Sequence, residues 1–255
     1  MNSSSGQHLT SLVGQDFSPK APVVYVVDDD RQMRERLERV LRSAGWQSRA
    51  AASAEEFLSR LPATGPCCLL VEHYLPARNG LDLQGVLRDR TEMPIIFMSR
   101  YADVRTSVRA IKAGALEFLT KPFGDEALLS AVEDAIEQSR AALRDQACAR
   151  ELGERYASLS QREREVMRGV ASGRLNKQVA GDLGISEITV KAHRGSAMRK
   201  MRASSFAELV IMAVTLGRGT RLEDERHAER DDVSWPASTD RVSNMWRHAR
   251  LSLSP

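Results

Sequence analysis

The hydrophobic texture of the chain predicts an α/β fold, a doubly wound five-stranded parallel sheet, joined by a helical linker to an all-helical domain. Three observations carry this. From Pro22 to about residue 142, five short apolar runs alternate with amphipathic helical patterns, the order that places helices on both faces of a parallel sheet. Beyond about residue 158 the strand-like runs stop, and only helical spacing continues, punctuated by Gly173 and Gly184. The 255 residues are enough for two modest cores, one for each segment.

Taken in order, residues 1–21 are polar and without periodicity, and read as a disordered arm. Residues 22–139 hold the alternating pattern. VVYVV is the first strand and runs into DDD. Met33, Leu37, Val40 and Leu41 recur at helical spacing until Gly45. A weak strand from Trp46 to Ala51 precedes a helix opened by Ser53, with Glu56 placed to complete a capping box and Phe57, Leu58 and Leu61 on its apolar side. CCLLV, LDLQGVLRD, IIFMS, DVRTSVRAIKAG and LEFLT follow as strand, helix, strand, helix and strand. The stripe Leu128, Leu129, Val132, Ala135, Ile136, Ser139 and Leu143 marks a long helix, whose continuation over 140–158 reads as a helical linker. A dimer seam and ordinary core packing both suit that stripe.

In an open parallel sheet, ligands gather beyond the carboxyl ends of the strands. Here those ends carry Asp28 and Asp29, Glu72, Ser99, and Lys121 followed by Pro122. Paired carboxylates suit a hard cation such as Mg2+, and a lysine with a hydroxyl suits an anion beside it. No general base or substrate loop accompanies them, so an enzyme is not expected.

The pieces VVDDD, LPARNG with Pro76 and Gly80, FMS, AGALEF and KPF resemble the response-regulator receiver domain. The resemblance implies a metal site at Asp28 and Asp29, a hydroxyl switch at Ser99, an aromatic switch at Phe118, and a phosphate-contacting lysine at Lys121 before a cis-proline. It also implies a phosphoacceptor aspartate at the position that Glu72 occupies. Glutamate is one methylene longer, and Arg100, next to Ser99, is placed to neutralise it. A permanent anion replacing a transient one is the reading this suggests, with no cofactor required. A site that has lost phosphate chemistry and only folds is the competing one. His73 and Tyr74 read as loop surface.

Residues 159–217 open with LSQREREVMRGVASG, where Ser160 and Glu163 make a capping-box pair. Val166, Met167 and Val170 recur at helical spacing. NKQVAGDL forms a short helix from Asn176 to Gly184, and Ser186 caps a third, EITVKAHRGSAMRKM. Two helices joined by a tight Gly-containing turn are a helix-turn-helix. Val190, Ala197, Met198 and Met201 fall on its packed side; Thr189, Lys191, Ala192, Gly195, Ser196, Arg199 and Arg202 fall opposite, a small and basic face of a width that enters the DNA major groove.

LSQREREV, GRLNKQVAGDLGIS, TVKAHR and FAELV resemble the LuxR-type C-terminal domain of FixJ- and NarL-like regulators. The combination implies a transcription regulator that binds promoter DNA as a homodimer and contacts RNA polymerase. Thr189 and Lys191 would meet base edges or nearby phosphates, Arg199 and Arg202 the backbone, and Asn176 and Lys177 the backbone from the supporting helix. Arg194 falls toward the packed side and would reach a phosphate only by snorkelling. A receiver that titrates a partner such as a histidine kinase is the rival reading.

Composition agrees with this. The formal charge of +3 is small, but residues 159–217 hold ten Lys and Arg against five Asp and Glu, whereas 21–142 hold sixteen against eighteen. Three cysteines, two of them adjacent, form neither a disulfide framework nor a metal-ligand spacing. No apolar run approaches a membrane span and the start lacks a signal peptide, so a cytoplasmic protein without membrane contact is expected. Residues 218–255 carry seven basic and seven acidic residues with Trp235 and Trp246, and read as a disordered tail in which the tryptophans leave room for a docking peptide.

Overall fold

A computed structural model describes residues 21–60, 65–76, 79–101 and 104–216. The arm before residue 21, Leu61, and the tail with Trp235 and Trp246 lie outside the described residues. The chain divides into two units, Met1–Arg150 and Glu151–Pro255, each taken by itself below.

In the first unit, β1 (Val23–Val27), β2 (Gln47–Ala51), β3 (Cys67–Glu72), β4 (Ile95–Ser99) and β5 (Glu117–Thr120) form one sheet in the order β2-β1-β3-β4-β5, and every pair in it is parallel. The helices between them are α1 (Arg31–Ser43), α2 (Ala54–Ser59), α3 (Gly80–Val86) and α4 (Val104–Lys112), followed by α5 (Asp125–Ala157). Residues 140–158, read from sequence as a helical linker, are helical as far as Ala157, as the second half of α5, which is unbroken for 33 residues and whose part from Glu151 on belongs to the second unit.

Because successive strand side chains point to opposite faces, each central strand feeds two cores. Tyr25, Val27, Leu69, Val71, Ile95 and Phe97 pack with Phe57, Leu58, Leu83 and Ala110 of α2, α3 and α4. Val24, Val26, Cys68, Leu70, Ile96 and Met98 pack with Leu37, Leu41, Leu128, Val132 and Ile136 of α1 and α5. Burial on both faces is why β1, β3 and β4 read as continuous apolar runs rather than alternating ones. Ser139, the polar member of the α5 stripe, is buried because its hydroxyl accepts from the Cys67 N–H at 2.9 Å and donates to the Glu92 carbonyl at 2.5 Å.

Caps set the helix starts. Ser53 Oγ accepts from the Glu56 N–H at 3.2 Å, but the Glu56 carboxylate reaches the Ala52 N–H at 2.7 Å, one residue before the expected partner. Asn79 caps α3, and Gly80 makes a close approach possible, since a Cβ there would stand 2.8 Å from the Glu72 carbonyl and 2.9 Å from the Phe97 ring.

The second unit contains α6 (Gln161–Ala171), α7 (Asn176–Leu183) and α8 (Glu187–Met201), with a further helical stretch over 206–216. Val166, Val170, Val179, Ala180 and Val190 share one core, which Gly169 tightens: a Cβ there would lie 2.9 Å from Val179 Cγ2. Gly184 closes α7 at φ +66°, the left-handed conformation that lets the chain turn sharply into α8.

Candidate functional site

The acidic pocket sits where the strand order reverses. β1 pairs with both β2 and β3, so the crevice past the carboxyl ends of β1 and β3 is the topological switch point. Val27 stands opposite Val71, which sets Asp28 beside Glu72. Ser99 ends β4, and its carbonyl accepts from the Lys121 N–H at 2.8 Å, which anchors Lys121 at the same edge of the sheet. The Lys121–Pro122 peptide is cis, as the resemblance implied.

One buried cation bridges two buried anions. Lys121 Nζ donates to Asp28 Oδ2 at 2.7 Å and to Glu72 Oε2 at 2.5 Å, with the three side chains 5%, 0% and 8% exposed. The outer oxygens also have donors, since Asp28 Oδ1 accepts from the Asp30 N–H at 2.9 Å and Glu72 Oε1 from the Tyr74 N–H at 3.2 Å. Charges this deep are tolerated when paired and hydrogen-bonded; here each of the four carboxylate oxygens has a donor, and the two anions share one cation.

The structure moves several predicted residues. Arg100 does not neutralise Glu72; it is 60% exposed and donates to Asp30 Oδ2 at 2.6 Å. The Met33 amide first, then the Gln32 amide and Arg100, hold the Asp30 carboxyl below its ordinary range. Ser99 is buried, yet its hydroxyl is engaged by the Tyr101 backbone, accepting from N–H at 3.2 Å and donating to the carbonyl at 3.3 Å. His73 is not loop surface but 2% exposed, with its ring against Tyr74 (4.4 Å between centroids), Phe97 (5.8 Å) and Phe118 (6.1 Å). Alternation along β3 could have flagged His73, since it continues the face of Leu69 and Val71. Phe118, half-buried, stacks on Phe97 at 6.2 Å.

The two acids that the resemblance gives to a magnesium ion differ in setting, Asp28 being buried and Asp29 exposed. Among the described residues no three His, Cys, Asp or Glu side chains converge as a metal-holding group. On Asp28 only Oδ2 meets Lys121, while Oδ1 accepts from the Asp30 N–H at 2.9 Å.

In the second unit, the capping box forms as expected: Ser160 Oγ accepts from the Glu163 N–H at 3.3 Å, and Glu163 Oε2 accepts from the Ser160 N–H at 2.7 Å. The same carboxylate then reaches α8, accepting from Ser196 Oγ at 2.6 Å and from Lys200 Nζ at 2.7 Å. Burial works upward on its pKa, but the bonds from Lys200, Ser196 and Ser160 win and hold it at about 2. Ser196, expected on the outward face, therefore points to α6. The sequence signalled only the cap half of this lock, because the partners on α8 lie more than thirty residues away.

The other predicted contacts divide. Lys191 and Arg199 are exposed, with Lys191 Nζ 3.4 Å from Glu187 Oε1 on the preceding turn. Thr189 is half-buried, its N–H bonded to Ser186 Oγ at 3.1 Å and its hydroxyl 2.8 Å from the same atom, so the cap claims it. Arg202 lies past the helix as its left-handed C-cap at φ 56°, exposed, with Glu151 3.7 Å away. Arg194 does lie toward the packed side: it is half-buried, 5.6 Å over the Phe206 ring, and donates to Asn176 Oδ1 at 3.4 Å. Lys177 is exposed at the start of α7. The expected core residues Val190, Ala197 and Met201 are buried and Met198 half-buried.

Comparison with known proteins fits both units. Residues 24–133 match the response regulator receiver domain, and residues 157–213 match the bacterial regulatory proteins of the luxR family. Nodulation protein W of Bradyrhizobium diazoefficiens is 44% identical over 203 residues, covering 79% of this chain and 89% of that protein. Response regulator protein TodT of Pseudomonas putida is 42% identical, covering 76% and 86%. Transcriptional regulatory protein FixJ of Bradyrhizobium diazoefficiens is 38% identical, covering 76% and 95%. The solved structure of the response regulator StyR superposes with a TM-score of 0.67 at 38% identity, covering 77% of this chain and 100% of that one. Among the described residues no helix is long and apolar enough to cross a membrane. The chain belongs to the two-component response regulators, as a DNA-binding transcription regulator in which a receiver domain precedes a LuxR-type helix-turn-helix domain.

Proposed function

We propose that this regulator acts on promoter DNA without an acyl-phosphate switch, with Glu72 in place of the family's phosphoacceptor aspartate. The observation that carries the reading is the 2.5 Å bond between Glu72 Oε2 and Lys121 Nζ, buried beside Asp28. A receiver lysine has to meet a phosphoryl oxygen; here a permanent carboxylate already meets it. The imitation is one-sided. Lys121 is drawn to the anion, whereas Ser99 stays with Tyr101.

DNA is read through α8, with Lys191 toward base edges or phosphates, and Arg199, Arg202 and Lys177 toward the backbone. Arg194 and Asn176 hold each other where α7 meets α8, and Thr189 serves its cap. The protein works as a homodimer on a pseudo-palindromic site and contacts RNA polymerase, in a cytoplasmic setting, and a histidine kinase is not needed to activate it. Support for this part comes from the family, the surplus of basic residues over 159–217 and the exposed cations of α8.

The test is promoter binding with and without a small-molecule phosphodonor. Acetyl phosphate should neither label the protein nor tighten binding, and Glu72→Gln should lower promoter affinity or dimerisation. Stable labelling of the unmodified chain, at Asp28 or Asp29 for example, refutes the proposal. Unchanged affinity in Glu72→Gln means that the site has decayed.

A further inference from the structure

We propose that Ile188 is a specificity-determining residue that reads the 5-methyl group of a thymine in the major groove. The inference rests on α8 being the groove-reading helix. Ile188 is 80% exposed, the most exposed large apolar side chain described in the second unit. It also sits at the centre of the outward face. At about 100° per residue, Lys191, Ala192, Gly195 and Arg199 all fall within about 60° of it, while Val190, Ala197 and Met201 fall on the far side, where they are buried.

The groups around it leave this part of the face to Ile188. Thr189 is held by Ser186, Ser196 by Glu163, and Lys200 by the same carboxylate. Over the first two turns, where such helices meet base edges, the exposed side chains are Glu187, Ile188, Lys191 and Ala192. Helix stability does not ask for an exposed isoleucine, because a β-branched side chain loses rotamer freedom against the preceding turn. Lys191 one turn on and Arg199 further along the same face favour a polyanion over an apolar protein surface, and the apolar feature that duplex DNA offers in its major groove is the thymine methyl.

The experiment uses the full chain and a duplex that the protein itself selects from a randomised pool. Each thymine is replaced in turn by deoxyuridine, which removes only the 5-methyl group. One thymine per half-site should lose affinity on replacement by roughly 4-fold, the worth of one buried methyl. Ile188→Ala should bind more weakly by a similar factor and be indifferent to uridine there, whereas Ile188→Val should keep most of the sensitivity. Ile188 is too exposed for either change to unfold the domain. The proposal is overturned if no thymine is sensitive, if Ile188→Ala keeps the wild-type sensitivity, or if Ile188→Ala alters only self-association. Lys191→Ala and Arg199→Ala separate the two levels. Weakening by them without an Ile188-dependent thymine rejects Ile188 alone, and no weakening rejects α8 as the reading helix.

Discussion

Removing the Glu163 carboxylate should loosen the packing of α8 against α6. Glu163→Ala strips an acceptor from the Ser160 N–H, from Ser196 Oγ and from Lys200 Nζ. The Ser160 Oγ cap survives, since it accepts from the backbone N–H of residue 163, and loss of the reciprocal bond to the Ser160 N–H should cost about 1 kcal/mol. The bond from Lys200 is charge-assisted, but Lys200 is 40% exposed and regains water, so the low end, about 1.5 kcal/mol, applies. The Ser196 hydroxyl adds about 1 kcal/mol. Because the three share one side chain they are not independent, and roughly 3 kcal/mol is the expected total. For a unit of this size that corresponds to a drop in melting temperature on the order of 10–20 °C. Glu163→Gln keeps one acceptor oxygen and should lose about half as much.

The pH dependence follows from the same carboxylate. Its pKa is about 2 when folded, against an ordinary 4.5, so its contribution is fully present above pH 4.5 and is lost as pH falls toward 2. Glu163→Gln should flatten that part of the acid-unfolding curve. Urea unfolding of the full chain, with amide exchange read separately on α6 and α8, measures both effects. A loss below about 1 kcal/mol in Glu163→Ala, or an acid profile identical in Glu163→Gln, would refute the lock.

Three further outcomes can be checked on the first unit by urea titration. Lys121→Met leaves Asp28 and Glu72 buried and facing each other without their cation, and should destabilise by about 3–5 kcal/mol; an unchanged midpoint would mean that the triad is not closed in solution. Gly80→Ala places a Cβ 2.8 Å from the Glu72 carbonyl, a backbone atom that cannot swing away, and should destabilise by about 1–3 kcal/mol. Gly85→Ala, on the same helix with nothing within 4 Å, should instead stabilise by about 0.5–1 kcal/mol, so a similar loss at both glycines would refute the steric argument.

What the sequence determined by itself is what local periodicity and local capping encode. Strand runs such as VVYVV and IIFMS, the stripe along α5, the Ser160 cap and the turn at Gly184 each need only near neighbours to be legible, and the order of elements then implied the sheet and the three-helix arrangement. The residue types at the strand ends were legible too, because a parallel sheet brings its carboxyl ends together whatever the loops do. Tertiary structure alone decided which partner each charge takes. Lys121 meets Asp28 and Glu72 across 93 and 49 residues, Arg100 meets Asp30 across 70, and Glu163 meets Lys200 across 37. Long flexible side chains choose among several anions within reach, and that choice depends on distances of a few ångströms that no periodicity carries. For the same reason Ser196 and Thr189, outward on an ideal wheel, proved to be held by neighbouring caps, while Ile188 was left alone at the centre of the exposed face.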